Sequence, residues 1–227
     1  MLARPANITA QQASHYYEQD DYYDRTFNVD AETQFTAYWF GKGAKALCVE
    51  GAINTADFKS LLEGRSPQGR RLHAKPIQAE IHRAGTDYTF NAPKSVSIAA
   101  LVQQDERLVS AHDQAVQSAL TVLEGRYAQT RVWNRREKRQ IKVGTGNLAI
   151  GVYRHETSRN QDPHLHSHCV AINATQTEGG QWRAVSNELA VRHQKLLGQI
   201  YQNELAYRAR ELGYAIERRD QGQFDLK

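Results

Sequence analysis

The sequence predicts an α+β fold, a central antiparallel sheet with flanking helices. Two observations carry this. Strand-like and helix-like segments mix without strict β–α–β alternation, and the later strands follow one another through short polar turns, as hairpins do. The composition agrees: of 227 residues, 40% are hydrophobic and 24% charged, enough for a packed core and too apolar for a disordered chain. There is no repeat, low-complexity tract or proline-rich linker, so residues 1–227 read as one domain.

Thr9 is placed to cap a helix over 10–19, in which Ala10, Ala13 and Tyr17 recur at i, i+3 and i+7. Residues 20–34 are acidic and without period, and read as a loop. Residues 58–62 predict a short helix ended by Gly64, before a basic loop through Lys75. Residues 88–90 read as a strand running into Asn91-Ala92-Pro93-Lys94-Ser95, where Pro93 can open a helical turn. Leu108, Ala111, Ala115, Ala119 and Leu123, at spacings of three and four, predict an amphipathic helix over 105–125 that ends at Gly125.

Residues 131–134 and 139–143 then form the arms of a charged hairpin. Leu148, Ile150 and Val152 alternate with Asn147, Ala149, Gly151, Tyr153 and His155, the pattern of a half-buried strand. After a polar loop, His164, His166, His168, Val170 and Ile172 share one side of the next strand. Glu178-Gly179-Gly180 turns the chain into a short strand over 182–185. A long helix over 187–212 should present Leu196, Ile200, Leu205 and Ala209 inward, and a hairpin about 220–222 closes the chain.

Charge and composition exclude several classes. No apolar run approaches the roughly 18 residues of a membrane span, and Met1-Leu2-Ala3-Arg4-Pro5 opens no secretory signal, so a cytoplasmic protein without membrane insertion is expected. Two cysteines, Cys48 and Cys169, do not make a disulfide scaffold. The net charge of +4 hides an asymmetry: residues 126–142 hold seven basic side chains against Glu137, and residues 59–83 hold six against Glu63 and Glu80. Such clusters are either solvated surface or a footprint for a phosphate backbone.

The histidines carry the sharpest signal. His166 and His168 project from one face of their strand about 7 Å apart, by a rise of roughly 3.3 Å per residue. A hairpin sets His155 alongside, and its same-face neighbours Gly151 and Ala149 leave room above the sheet. Three imidazoles from two adjacent strands make an open metal site with positions left for a substrate oxygen. His164 shares the face, so spacing alone does not choose three ligands among four. Asp87, placed at the start of a strand, is a carboxylate able to receive the second ring N–H of a ligand histidine; the alternative is a turn or cap residue.

Tyrosine placement is unusual. Tyr16-Tyr17 and Tyr22-Tyr23 form two doublets in the acidic N-terminal segment. Aromatic doublets ordinarily pack in cores, and Tyr17, on the Ala10–Ala13 stripe, fits that role, whereas Tyr16 points toward an open face. The functional reading is a phenolic nucleophile. With an ordinary pKa near 10, it needs a base, or a metal that polarises a phosphodiester. Tyrosines, histidines and basic stretches together explain one another as a nucleophile, a metal site and a grip on the phosphates of the strand attacked.

The segments HYYEQDDYY (15–23), FKSLLEGR (58–65), GTDYTFNAPKSVSIAAL (85–101), HETSRNQDPHLHSHCVAIN (155–173) and GQWRAVSNELA (180–190) extend across nearly the whole chain. On them the sequence resembles the relaxase domain of MobF-class conjugative relaxases, within the wider group of HUH endonucleases. The resemblance implies a palm-like antiparallel sheet with helices on one side and mobile segments that close over a DNA cleft. It maps the metal ligands onto His155, His166 and His168, the nucleophile onto Tyr16, a second strand-transfer tyrosine onto Tyr22, and the orienting carboxylate onto Asp87. The doublets begin six residues apart, closer than the family spacing.

The activity so implied is nicking of one strand at a plasmid transfer origin, through a 5′-phosphotyrosine link that can be rejoined. It would use a divalent ion, Mg2+ or Mn2+, with Zn2+ or another transition metal as alternatives. Its partners would be single-stranded or cruciform origin DNA, accessory relaxosome proteins and a coupling protein in the bacterial cytoplasm. Lys94, Arg135, Arg136 and Arg159 are the expected backbone contacts. Family members usually continue into a helicase region, so the chain is expected to be an N-terminal part of a larger relaxase-helicase. A rolling-circle replication initiator, an origin-binding module without cleavage, and a hydrolase acting through water are the competing readings.

Overall fold

Five strands make the central sheet, in the order β1-β3-β7-β6-β2 with every neighbour antiparallel. They are β1 (Ala6–Thr9), β2 (Ala37–Phe40), β3 (Arg83–Asn91), β6 (Ile150–Thr157) and β7 (Pro163–Ile172). This computed structural model describes residues 1–10, 37–73, 82–158 and 160–227. The predicted helix beyond Ala10, the loop 20–34, Tyr16, Tyr22 and Arg159 lie outside the described residues. Thr9 ends a strand, paired with Arg83, and Ala10 directly after it is helical, as the cap position predicts.

Both faces of the sheet are covered. On one lie α3 (Lys94–Leu101), α4 (Glu106–Val122) and α6 (Gln194–Glu211), packed on Phe90, Ile150, Val152, Leu165 and Cys169. On the other, α1 (Lys42–Ala46) and α2 (Thr55–Leu62) bring Ala44, Phe58, Leu61 and Leu62 against Trp39, Tyr153, Val170 and Ile172. The sheet therefore has helices on two sides, long ones on one and short ones on the other. For the same reason β6 is buried at every position from Ile150 to His155, not on alternate residues. The space expected above Gly151 is taken by Phe58 and Ile53, whose side chains stand 3.0 and 3.2 Å from where a β-carbon would be.

Local chemistry sets the element ends. Asn54 caps α2, its side-chain oxygen accepting from the Ala56 and Asp57 amides. Gly64, with φ at +72°, turns the chain after it. α4 begins at the Asp105 cap and buries Leu108, Ala111, Ala115 and Ala119 as the spacing predicts. It does not stop at Gly125: a π-helical turn, Leu123–Tyr127, carries Glu124 inward, where its carboxylate accepts the amides of Lys42 at 2.6 Å and Leu148 at 2.8 Å.

The predicted helix over 187–212 is two, α5 (Glu188–Arg192) and α6, separated at His193. Its buried face is Leu197, Tyr201, Leu205 and Ala209, whereas Leu196 is 47% exposed. The two stripes differ by one residue, and Tyr201 decides between them by entering the core to meet His112. The charged hairpin is β4 (Gln129–Asn134) with β5 (Arg139–Gly144), followed by the small pairs β8 (Thr175–Gln176) with β9 (Trp182–Arg183) and β10 (Ile216–Arg218) with β11 (Phe224–Leu226). No helix among the described residues is long and apolar enough to cross a membrane.

Candidate metal centre and nucleic-acid interface

Strand register assembles the histidines. His155 pairs directly with His166 across β6 and β7, and His168 stands two residues further along β7 on the same face. One ring nitrogen from each of the three lies within 4.8 Å of the others. The ring centroids are 5.2 Å apart for His155 and His166 and 5.3 Å for His155 and His168. His164 stacks on His166 at 4.5 Å, on the outer side, and is not one of the converging three.

Two of the rings have their tautomer set by a neighbour. His168 Nδ1 donates to Asp87 Oδ2 at 2.6 Å, because a carboxylate can only accept, and this leaves Nε2 for a ligand bond. His166 Nδ1 donates to the His164 carbonyl at 2.8 Å, with the same consequence. Asp87 is the fifth residue of β3, paired with Val170, so it is an in-strand carboxylate and not one at a strand start. Its second oxygen is buried and meets no hydrogen-bond partner among the described residues.

Burial, then the neighbouring imidazoles, pushes His155 down to about 3. Burial is also the largest influence on His166, which falls to about 4. Both rings are thus neutral near pH 7 and have lone pairs to give. Three converging imidazole nitrogens, two with their far N–H already bound, fit a divalent ion.

Lys94 opens α3 beside this cluster, its Nζ donating to the Pro163 carbonyl at 3.0 Å. Burial and the nearby Lys94 charge lower His164 as well. A cation at a helix N-terminus is unfavourable on its own, and no acidic side chain in that turn offsets it. Arg135 and Arg136 lie elsewhere, exposed on the turn between β4 and β5. The three described residues of the expected DNA-contact set are therefore not gathered in one place.

A set of cations not singled out in the sequence is gathered. Arg70, Arg71, Arg83, Arg131 and Arg183 line a cleft of about 1110 Å³. It opens at the start of β3 and the end of β7, the opposite end of those strands from the histidines; Arg83 and Thr89 are about 20 Å apart at the strand rise. Four of the five fall in the two basic stretches, so charge clustering pointed to the region. Which arginines converge depends on how β4, β5 and the loop after α2 pack. Arg83 also anchors the wall, donating to Asn187 at 2.5 Å and Asn173 at 2.7 Å.

Three imidazoles converging on an antiparallel sheet, with an arginine-walled cleft at the far end of the same strands, define an α+β protein with a candidate metal centre and a separate basic surface. The chain belongs to the TrwC relaxase family, whose model matches residues 10–227. It is 37% identical over 227 residues to the multifunctional conjugation protein TraI of Escherichia coli, covering 96% of this chain and 12% of that protein. The chain thus spans about an eighth of that relative's length. The conjugative relaxase TrwC in complex with OriT DNA, free of metal, superposes with a TM-score of 0.87 at 37% identity, over 100% of this chain and 74% of the chain in that structure. A copper-bound complex of TrwC with OriT DNA gives 0.85 at 38% identity, over 100% and 75%.

Proposed function

We propose that residues 1–227 form a nicking and strand-transfer domain that cuts one strand of DNA at a plasmid transfer origin and can rejoin it. The observation that carries this is the trio His155, His166 and His168, with His168 oriented by Asp87, on a sheet that matches TrwC bound to OriT DNA. We assign Tyr16 as nucleophile. Its phenolic oxygen bonds to the scissile phosphorus as the P–O3′ bond breaks, leaving a 5′-phosphotyrosine and a 3′ oxygen that takes up a proton. One diester replaces another, so the step reverses and the strand can be resealed.

A divalent ion on the three imidazoles would bind non-bridging phosphate oxygens and offset the charge that grows during attack. Asp87 holds the His168 proton through one oxygen, and we assign its other oxygen, which meets no partner among the described residues, as acceptor of the Tyr16 proton. Lys94, at the exposed edge of the cluster, is placed to meet an adjoining phosphate, which would also relieve its position at the start of α3. An all-nitrogen set favours a transition-metal ion such as Zn2+, Cu2+ or Mn2+ over Mg2+, which prefers oxygen ligands and water. Tyr22 would serve the second transfer step, and Arg135, Arg136 and Arg159 the DNA backbone. The setting is the bacterial cytoplasm, with relaxosome accessory proteins and a coupling protein as further partners.

The test is a denaturing gel of the protein with single-stranded oligonucleotides tiled across its own replicon, with divalent metal. A shifted band that survives boiling, and disappears with chelator or in Tyr16→Phe, is the expected result. Free cleaved ends without the band would replace the nucleophile by water. Tight binding without any cleavage would reduce the domain to an origin-binding module. Mapping the nick to a replication origin instead of a transfer origin would favour a rolling-circle initiator.

A further inference from the structure

The strand pair that carries the imidazoles has a reverse side. Side chains alternate along a strand, so Ser167, between His166 and His168, and Arg154, beside His155, face away from the site. Register sets Arg154 directly opposite Ser167. Both are buried, and α4 meets them with two consecutive residues. His112, fully buried, bonds Ser167 Oγ through Nε2 at 2.8 Å and the Tyr201 hydroxyl through Nδ1 at 2.7 Å. Asp113 accepts from Arg154 Nη1 at 2.5 Å, the two side chains being 18% and 6% exposed.

Helix α4 does not need these polar groups in order to pack. Ala111, Ala115, Val116, Ala119 and Leu120 already seat it in the core. A buried ion pair and a buried histidine contribute little stability compared with apolar side chains of the same volume. What the bonds of His112 to Ser167 and Tyr201, and of Arg154 to Asp113, do supply is a preferred geometry, because a shift would leave these desolvated groups without their partners. The residues so fixed are the immediate chain neighbours of all three converging imidazoles.

We propose that His112 and Asp113, acting through Ser167 and Arg154, are positioning residues for the metal site: they hold the β6–β7 backbone from behind so that His155, His166 and His168 stay converged on one ion. Loosening Ser167 frees the strand between His166 and His168 to change its twist. Loosening Arg154 lets His155 shift against its partner His166. The inference rests on the metal reading given above, and it concerns residues that touch neither ion nor DNA.

The experiment uses the whole chain and Zn2+ alone. Affinity is measured by calorimetric titration, ligand geometry by the visible spectrum of the Co2+ form, and fold by melting of the metal-free protein. Ser167→Ala and Asp113→Asn should each weaken Zn2+ binding about tenfold, the effect usual for groups that orient ligands from outside, and alter the Co2+ spectrum. Val116→Ala, one turn along the same helix, should lower the melting temperature but leave Zn2+ affinity within about twofold. Wild-type Zn2+ affinity in both Ser167→Ala and Asp113→Asn would overturn the proposal, as would a weakening in Val116→Ala equal to theirs. A wild-type protein that takes up neither Zn2+ nor Co2+ would instead overturn the metal reading itself. Should Ser167→Ala fail to fold, Asp113→Asn decides alone, since it keeps the side-chain shape while removing the charge and one acceptor oxygen.

Discussion

The two ends of the β3–β7 strand pair are built on opposite principles. At the end holding His155, His166 and His168, the groups are close, largely buried and, for His155 and His166, kept neutral by that burial. At the other end, arginines surround an open cleft of about 1110 Å³. The first arrangement suits directional bonds to one ion. The second suits a polyanion, because loosely arranged cations release counterions along a phosphate backbone without demanding a fixed geometry. About 20 Å of sheet separates the two.

The division predicts effects that should not mix. His166→Ala should remove stoichiometric metal binding and lower covalent adduct formation by about 10³-fold, while affinity for origin oligonucleotides, measured by anisotropy, stays within about threefold. A comparable fall in affinity would show that the two ends act as one site. The converse change, Arg70→Glu with Arg71→Glu, should weaken DNA binding about 10- to 100-fold at low salt. It should flatten the salt slope by roughly 0.7 for each phosphate that is no longer neutralised, and leave adduct formation at saturating DNA unchanged.

Asp87→Asn tests the histidine end more finely. It keeps the shape but can present an amide to His168, so metal affinity should fall about 10-fold, and adduct formation further if this carboxylate also takes the Tyr16 proton. Titration of metal at saturating DNA separates the two contributions: excess ion restores the first and not the second.

Acid gives the smallest effect and distinguishes the ends again. His155 and His166 are held near 3 and 4 in the fold, but titrate near 6.5 when unfolded. Below about pH 6.5 the unfolded chain therefore binds more protons. The stability these rings contribute is complete above 6.5 and declines progressively as the pH falls toward 4. The metal-free melting temperature should decline over that interval. His73, in the cleft, is likewise lowered to about 4 by burial, then by His82 and Arg83, so acidification to about pH 5.5 adds little charge at that ring. DNA affinity should change by less than about twofold between about pH 7.5 and 5.5; a steep rise would mean that His73 titrates with the bound strand.

Much of the fold was legible. The hairpin of β4 and β5, the amphipathic α4, the Pro93 turn and the histidine face of β7 each rest on local pattern, which the chain carries in any context. Legibility failed where two local patterns compete or where polar residues go inside. Leu196 and Leu197 both complete a helical stripe, and only the pairing of Tyr201 with His112 selects the second. His112, Asp113 and Arg154 look like surface residues on a charged helix and strand until both are packed together. The β1 strand is four residues of weak pattern, held by its pairing with β3.

By itself the sequence pointed to a kind of chemistry: four histidines on one face of a hairpin, a candidate orienting carboxylate, tyrosine doublets and two basic stretches. Alternation along a strand and helical spacing are short-range rules, so these features survive without a fold. Tertiary structure decided which histidine stands aside, which oxygen of Asp87 is engaged, and which arginines meet across the cleft. Those choices depend on strand register and on packing between segments far apart in the chain. No local pattern encodes such distances, because they emerge only when the two faces of the sheet are closed by different helices.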